Sequence, residues 1–179
     1  MIAAVVLAAG AATRFGSPKQ RLMLDGILAR LERSAVDHVV VVAGAYELEA
    51  DAEIVLCNTW EEGPGASLRC GLEALGTGVE AAVVALADGP ELSPEAVDRV
   101  IEAWQEGRGE VLAASYAGVR GHPVLLARAA WAGVPDEGGR ALPAVLVPCD
   151  DLEPPGDVDY PGDLPEVLRE EYGAPPASP

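Results

Sequence analysis

The sequence predicts an α/β fold of three layers, α/β/α, with helices on both faces of a Rossmann-like, mostly parallel sheet. Three observations predict it. Short continuous apolar runs recur along the 179-residue chain. They are rich in Val, Ile and Ala and lack in-out alternation, the pattern of strands covered on both faces. Helical patterns separate them, and that β-α-β rhythm implies right-handed crossovers in an open sheet.

The elements follow in order. Residues 2–8 (IAAVVLA) form the first strand, and 38–43 (HVVVVA), 53–56 (EIVL), 80–87 (EAAVVALA) and 110–116 (EVLAASY) repeat the theme. Residues 66–75 place Leu68, Leu72 and Leu75 at helical spacing. Residues 93–106 open with Ser93 as an N-cap and Pro94 at the first helical position, followed by one stripe of Val97, Val100, Ile101 and Trp104. Residues 120–126 (RGHPVLL) interrupt the rhythm as a hairpin or antiparallel strand, and 161–171 read as a last helix. No repeat or linker divides the chain. The expectation is a single domain over 1–172 and a frayed Pro/Ala-rich tail at 173–179.

Twelve basic residues against 29 acidic ones give a net charge of −17. Such a field repels phosphate, which argues against nucleic acid or an anionic membrane as a partner. No apolar run reaches membrane-span length, and the first residues carry no basic leader, so the expected location is cytoplasmic. Cys57, Cys70 and Cys149 form no CxxC pair and are expected as reduced, packed thiols. One stretch departs from the acidic background. No Asp or Glu precedes Asp25, and Arg14, Lys19 and Arg21 all fall there, Lys19 being the chain's single lysine.

That stretch is the run Leu7-Ala8-Ala9-Gly10-Ala11-Ala12-Thr13-Arg14-Phe15-Gly16-Ser17-Pro18-Lys19, directly after the first strand. In open α/β sheets ligands bind outside the carboxyl ends of the strands. Small residues there let backbone N–H groups approach a phosphate, and Arg14 and Lys19 can offset its charge. The spacing fits neither a GxGxxG turn nor a P-loop. Asp88, in Leu86-Ala87-Asp88-Gly89-Pro90, ends another strand on the same side, where a carboxylate can hold Mg²⁺. Turn chemistry accounts for Asp-Gly-Pro equally well.

The segment LAAGAATRFGSPKQ resembles the opening motif of the MobA-like nucleotidyltransferases, LAAGxxxRFGxxK. Asp88 is similar to the Asp of that family's LxDxP motif, and Asp157 to Leu164 resemble its late DxDTPEDL motif, with Tyr160 for Thr and Gly162 for Glu. Asn58 to Leu68 is similar to NxxWxxGxxxSL, Arg120 to Val124 matches GHPV, and Asp136 to Arg140 is similar to GDxGAR.

The resemblance implies a fold of the nucleotide-diphospho-sugar transferase type and transfer of a nucleoside monophosphate from an NTP to a phosphorylated acceptor, of which molybdopterin is best known. It implies that Leu7, Ala8, Ala9, Gly10, Arg14 and Lys19 bind the nucleotide phosphates, and that Gly63, Gly65 and Ser67 meet base or ribose. Arg14, Lys19 and Asp88 would be catalytic, Asp88 and Asp159 would hold Mg²⁺, and His122 and Arg140 would face the acceptor. Ala9, where guanylyl-transferring members commonly have Gly, points to CTP ahead of GTP. Two departures stand out. Gly89 replaces the usual Gln or Met, and the helix after the first loop looks short, since only ILARLERSA separates Asp25-Gly26 from the second strand. These departures favour the alternative, a non-catalytic nucleotide-binding regulatory module. A dinucleotide oxidoreductase fits the rhythm but lacks the Gly-rich turn and ribose-binding acid.

Overall fold

The apolar runs and the helices between them assemble around a seven-stranded sheet in a computed structural model, which describes residues 1–11 and 19–172. The elements are β1 (Ile2–Leu7), α1 (Gln20–Leu31), β2 (His38–Ala43), β3 (Glu53–Leu56), α2 (Pro64–Ala74), β4 (Ala81–Leu86), α3 (Pro94–Gln105), β5 (Val111–Tyr116), β6 (Val119–Ala127), β7 (Val145–Pro148) and α4 (Glu166–Tyr172). Strand order is β3-β2-β1-β4-β6-β5-β7. The β1–β2, β1–β4, β2–β3 and β5–β7 pairs are parallel, whereas β6 runs antiparallel to both β4 and β5.

Each central strand is covered on both sides, as continuous apolar runs require. Ala4, Val6, Val41, Val83 and Ala85 face one way and pack against Met23 and Ile27 of α1 and Val97 and Ile101 of α3. Ala3, Val5, Val40, Val42, Ala82 and Val84 face the other way, toward Leu68 and Leu72 of α2. Truncating one of these leucines or isoleucines to Ala would cost about 2–5 kcal/mol. Ser93 caps α3 as its sequence predicts, its hydroxyl accepting from Ala96 N at 3.4 Å.

Two expectations are corrected, and one strand is added. The helix after the first loop starts ahead of Gly26, at Gln20, and runs 12 residues. Its buried stripe of Met23, Leu24, Ile27, Leu28 and Leu31 carries the helix through Gly26, whose propensity cost is only about 1 kcal/mol. The segment Val145–Pro148, to which the sequence reading assigns no element, forms β7 beside its parallel partner β5. Cys57 and Cys70 are not reduced thiols but a disulfide, joining the end of β3 to α2, while Cys149 is free and buried. Sequence spacing cannot reveal that α2 returns to the β3 end. The tail at 173–179 lies outside the described residues. Among the described residues, no helix is long and apolar enough to cross a membrane.

Candidate active site

The paired strands β1 and β4 end side by side, Leu7 opposite Leu86, and Ala87 N donates to Leu7 O at 3.0 Å. This register brings the first loop and Asp88 to one place. Leu7 to Gly10 leave β1 there; Ala8 and Ala9 are buried and Gly10 is exposed. Gly10 O accepts from Gln20 Nε2 at 2.7 Å, which ties the loop to the first turn of α1. Arg14 lies outside the described residues.

Lys19 occupies the N-cap position of α1 without a capping hydrogen bond and is buried, with 6% of its surface exposed. A cation is poorly placed at that end of a helix. Lys19 is held there by partners from elsewhere in the chain. Its Nζ lies 3.2 Å from Asp88 Oδ2 and 3.7 Å from Asp159 Oδ1, and it donates to Val158 O. Val158 N in turn donates to Asp88 O at 3.0 Å. Val158 itself is core, 1% exposed. Asp159 is steadied by Asp163, whose Oδ2 accepts from Asp159 N at 3.1 Å and Tyr160 N at 2.8 Å. The structure thus brings Lys19, Asp88 and Asp159 together. Sequence reasoning missed the Val158 carbonyl, which has no side-chain signal, and Asp163, whose signal was a second Asp in a Pro-Gly turn. Among the described residues, no three His, Cys, Asp or Glu side chains cluster as a metal cage.

The segment before α2 has a different anatomy. Gly63 is the N-cap of α2, which opens with Pro64, so Ser67 stands inside the helix and does not cap it. Ser67 is 6% exposed. Gly65 is buried where the 135–136 backbone crosses α2, its N donating to Asp136 O at 3.0 Å. A Cβ at Gly65 would stand 2.0 Å from Pro135 O, so this crossing needs glycine. Arg69 reinforces it, reaching Val134 O at 3.1 Å and Asp136 Oδ1 at 2.9 Å.

A cleft of about 510 Å³ opens beside this cluster, bounded by the residues flanking Asp88 and by the start of β6. His122, Arg140 and Gly89 line it. Burial pushes the His122 imidazole down to about 4, with Arg140 and Arg120 acting in the same sense against the opposing charge of Asp88. His122 is therefore neutral at pH 7. Tyr116 OH donates to the His122 carbonyl at 2.9 Å, and burial pushes that phenol up to about 12. A Cβ at Gly89 would sit 3.1 Å from Pro155 Cβ, so the long Gln or Met of the resembling motif would require the 154–156 loop to move. His38, at the far end of β2, pairs with Glu53 at 3.0 Å and takes no part here.

Known proteins resemble this chain in sequence and in fold. A structure of the Mycobacterium tuberculosis Rv0371c homologue from Mycobacterium sp. strain JC1 superposes with a TM-score of 0.76 and 26% identity, covering 96% of this chain and 97% of that one. Rv0371c of M. tuberculosis H37Rv superposes at 0.74 with 25% identity, covering 93% and 97%. The bifunctional protein GlmU of Cutibacterium acnes is 30% identical over 127 residues, 62% of this chain. The match spans only 30% of the GlmU length. The fold is that of nucleotidyltransferases of the nucleotide-diphospho-sugar transferase type. Residues 4–146 match the MobA-like NTP transferase domain, and the chain belongs to that family.

Proposed function

We propose that the protein transfers a nucleoside monophosphate from an NTP to a phosphorylated acceptor. The donor is CTP ahead of GTP, the ion is Mg²⁺, and the acceptor is molybdopterin, as the family resemblance suggests. One observation carries the reading. A lysine and two aspartates from three separate motifs converge at the carboxyl end of the sheet, Lys19 Nζ lying 3.2 Å from Asp88 and 3.7 Å from Asp159.

The donor set fits Mg²⁺. Both carboxylates reach toward one cationic atom, and each is partly open, at 30% and 31% side-chain exposure. Mg²⁺ takes one or two carboxylates and completes its shell with water and phosphate oxygens. Bound there, it would supply charge neutralisation to the phosphate oxygens.

An oxygen of the acceptor phosphate forms a bond to the α-phosphorus. The bond from that phosphorus to the oxygen shared with the β-phosphate breaks, and its electron pair leaves with pyrophosphate. No covalent enzyme intermediate is needed. Lys19 and Arg14 meet the charge that shifts onto the leaving group, the kind of positioned stabilisation worth about 3–4 kcal/mol per donor. The backbone from Leu7 to Gly10 approaches the phosphates, and Gly63 and Ser67 face base or ribose. Gly65 serves by letting the 135–136 crossing close on α2. His122 and Arg140 take the acceptor.

Calorimetric titration with CTP, GTP, ATP and UTP, with and without Mg²⁺, tests the reading. Mg²⁺-dependent binding of CTP above the others supports it. Absence of binding for every NTP overturns it. Pyrophosphate release on adding acceptor separates the transferase from a module that only binds.

A further inference from the structure

Arg120 and Arg140 stand at the same wall of the cleft, and neither pairs with a carboxylate among the described residues. Three arginines elsewhere do pair with carboxylates. Arg30 pairs with Glu91, Arg69 with Asp136, and Arg99 with both Glu95 and Asp151. Arg120 instead spends its guanidinium on backbone. Its Nη1 donates to Leu142 O at 2.5 Å and its Nη2 to Gly139 O at 3.0 Å. Those two carbonyls bracket Arg140 in the 139–141 turn, so Arg120 fixes the turn that presents Arg140. Arg120 Nε is buried with no partner.

We infer that the cleft takes an acceptor with an apolar body and an oxyanion group separate from the attacking oxygen, that Arg140 binds this oxyanion, and that Arg120 is the positioning residue that holds Arg140 for it. The inference rests on the transferase reading above and names a class of acceptor in place of molybdopterin, whose pterin ring is polar and whose phosphate is itself the attacking group. Three features converge on it. The cleft walls are largely apolar, with Leu86, Leu92, Val124 and Pro155 among them. Arg140 is exposed and without a side-chain partner among the described residues, and Asp157 lies at the exposed rim. Two guanidiniums near one another disfavour each other's charge, and burial together with Arg140 pushes Arg120 below its ordinary value. An oxyanion on Arg140 offsets that repulsion and matches its guanidinium fork. Neutral His122 adds a hydrogen-bonding group there without a third charge.

The test uses the full chain without nucleotide and three probes of one shape: 1-naphthyl phosphate, 1-naphthoate and 1-naphthol. A charged probe should bind at least about tenfold more tightly than naphthol, as one charge-assisted hydrogen bond implies. The tighter of phosphate and carboxylate names the anion. Arg140→Ala should lose about that tenfold for the charged probe, change naphthol little and leave CTP binding intact, while Arg140→Lys keeps part of the gain. Arg120→Met should repeat the charge-selective loss. If that variant unfolds, Arg140→Ala decides. Equal binding of naphthol and the charged probes overturns the inference. So does a charged-probe affinity lost with Lys19→Ala but kept with Arg140→Ala, which would place the anion in the nucleotide site. Failure of CTP to bind the wild type strikes the transferase reading, whereas these outcomes strike only the acceptor class.

Discussion

Lys19 Nζ sits 3.2 Å from Asp88 Oδ2 although 69 residues separate them in sequence. The same ammonium also approaches Asp159, so one cation holds two carboxylates that would otherwise repel each other. Lys19→Ala should therefore lower stability in metal-free buffer by about 1–3 kcal/mol. Millimolar Mg²⁺ should recover part of that loss in the variant and less in the wild type. Thermal denaturation with and without Mg²⁺ checks this. An equal Mg²⁺ effect on both proteins contradicts it. Turnover should fall in this variant and vanish in Asp88→Ala.

Asp163 should matter more for the site than for the fold. Its carboxylate accepts from the N–H groups of Asp159 and Tyr160 and is itself exposed. Asp163→Ala should cost about 1 kcal/mol of stability. It should also weaken Mn²⁺ binding followed by paramagnetic resonance, with Asp163→Asn intermediate. Unchanged ion affinity in the Ala variant would remove Asp163 from the site.

Acid should destabilise the protein partly through His122. Its folded-state value is about 4 against an unfolded value near 6.5, so between those limits the unfolded chain binds a proton that the folded one refuses. The contribution is complete above about pH 6.5 and is lost as pH falls toward 4. The stability difference between wild type and His122→Gln should shift against the wild type across that window and level off below it. A flat difference in calorimetric scans from pH 7 to 4 would refute the neutral imidazole.

Gly65→Ala tests the crossing over α2. Its methyl would meet the Pro135 carbonyl at 2.0 Å, well inside contact, so backbone must shift. The cost should be about 1–3 kcal/mol, with nucleotide affinity falling as the Gly63–Ser67 segment moves. A variant as stable as wild type, with unchanged CTP titration, would dissociate this crossing from the site.

The Cys57–Cys70 bond closes a short loop around the same segment, with a sequence separation of 13. A loop of that size corresponds to about 3 kcal/mol by the chain-entropy account. Reductant should lower the melting temperature of the wild type and leave Cys70→Ser unaffected. Alkylation of the unfolded, unreduced chain should find one thiol. Finding three would mean the bond is absent.

The sequence made the sheet legible because each buried strand is a short apolar run that has no other stable use. The ends of helices were harder to read. Gly26 looked like a boundary, but a stripe from Met23 to Leu31 outweighed it. β7 was invisible because its partner β5 lies some thirty residues earlier and only the fold brings them together. In the site, Lys19, Asp88 and Asp159 carried motif signals. The groups that aim them did not, since a backbone carbonyl such as that of Val158 leaves no trace in residue type. Arg120 was visible only as part of RGHPV, because its role depends on carbonyls about twenty residues downstream.

The reversed direction of β6 has a consequence for how such a protein changes its substrate. Val84 of β4 pairs with Val124 of β6, so it is the beginning of β6, with Arg120 and His122, that reaches the end of the sheet where β4 delivers Asp88. A strand of the opposite polarity would send those two side chains to the far side of the molecule. The turn at Ala117-Gly118 lies at that same end, between β5 and β6. Lengthening or shortening that turn would move Arg120 and His122 as a unit while Lys19, Asp88 and Asp159 stay on other elements. Acceptor choice can then drift through one hairpin without disturbing the groups assigned to the nucleotide.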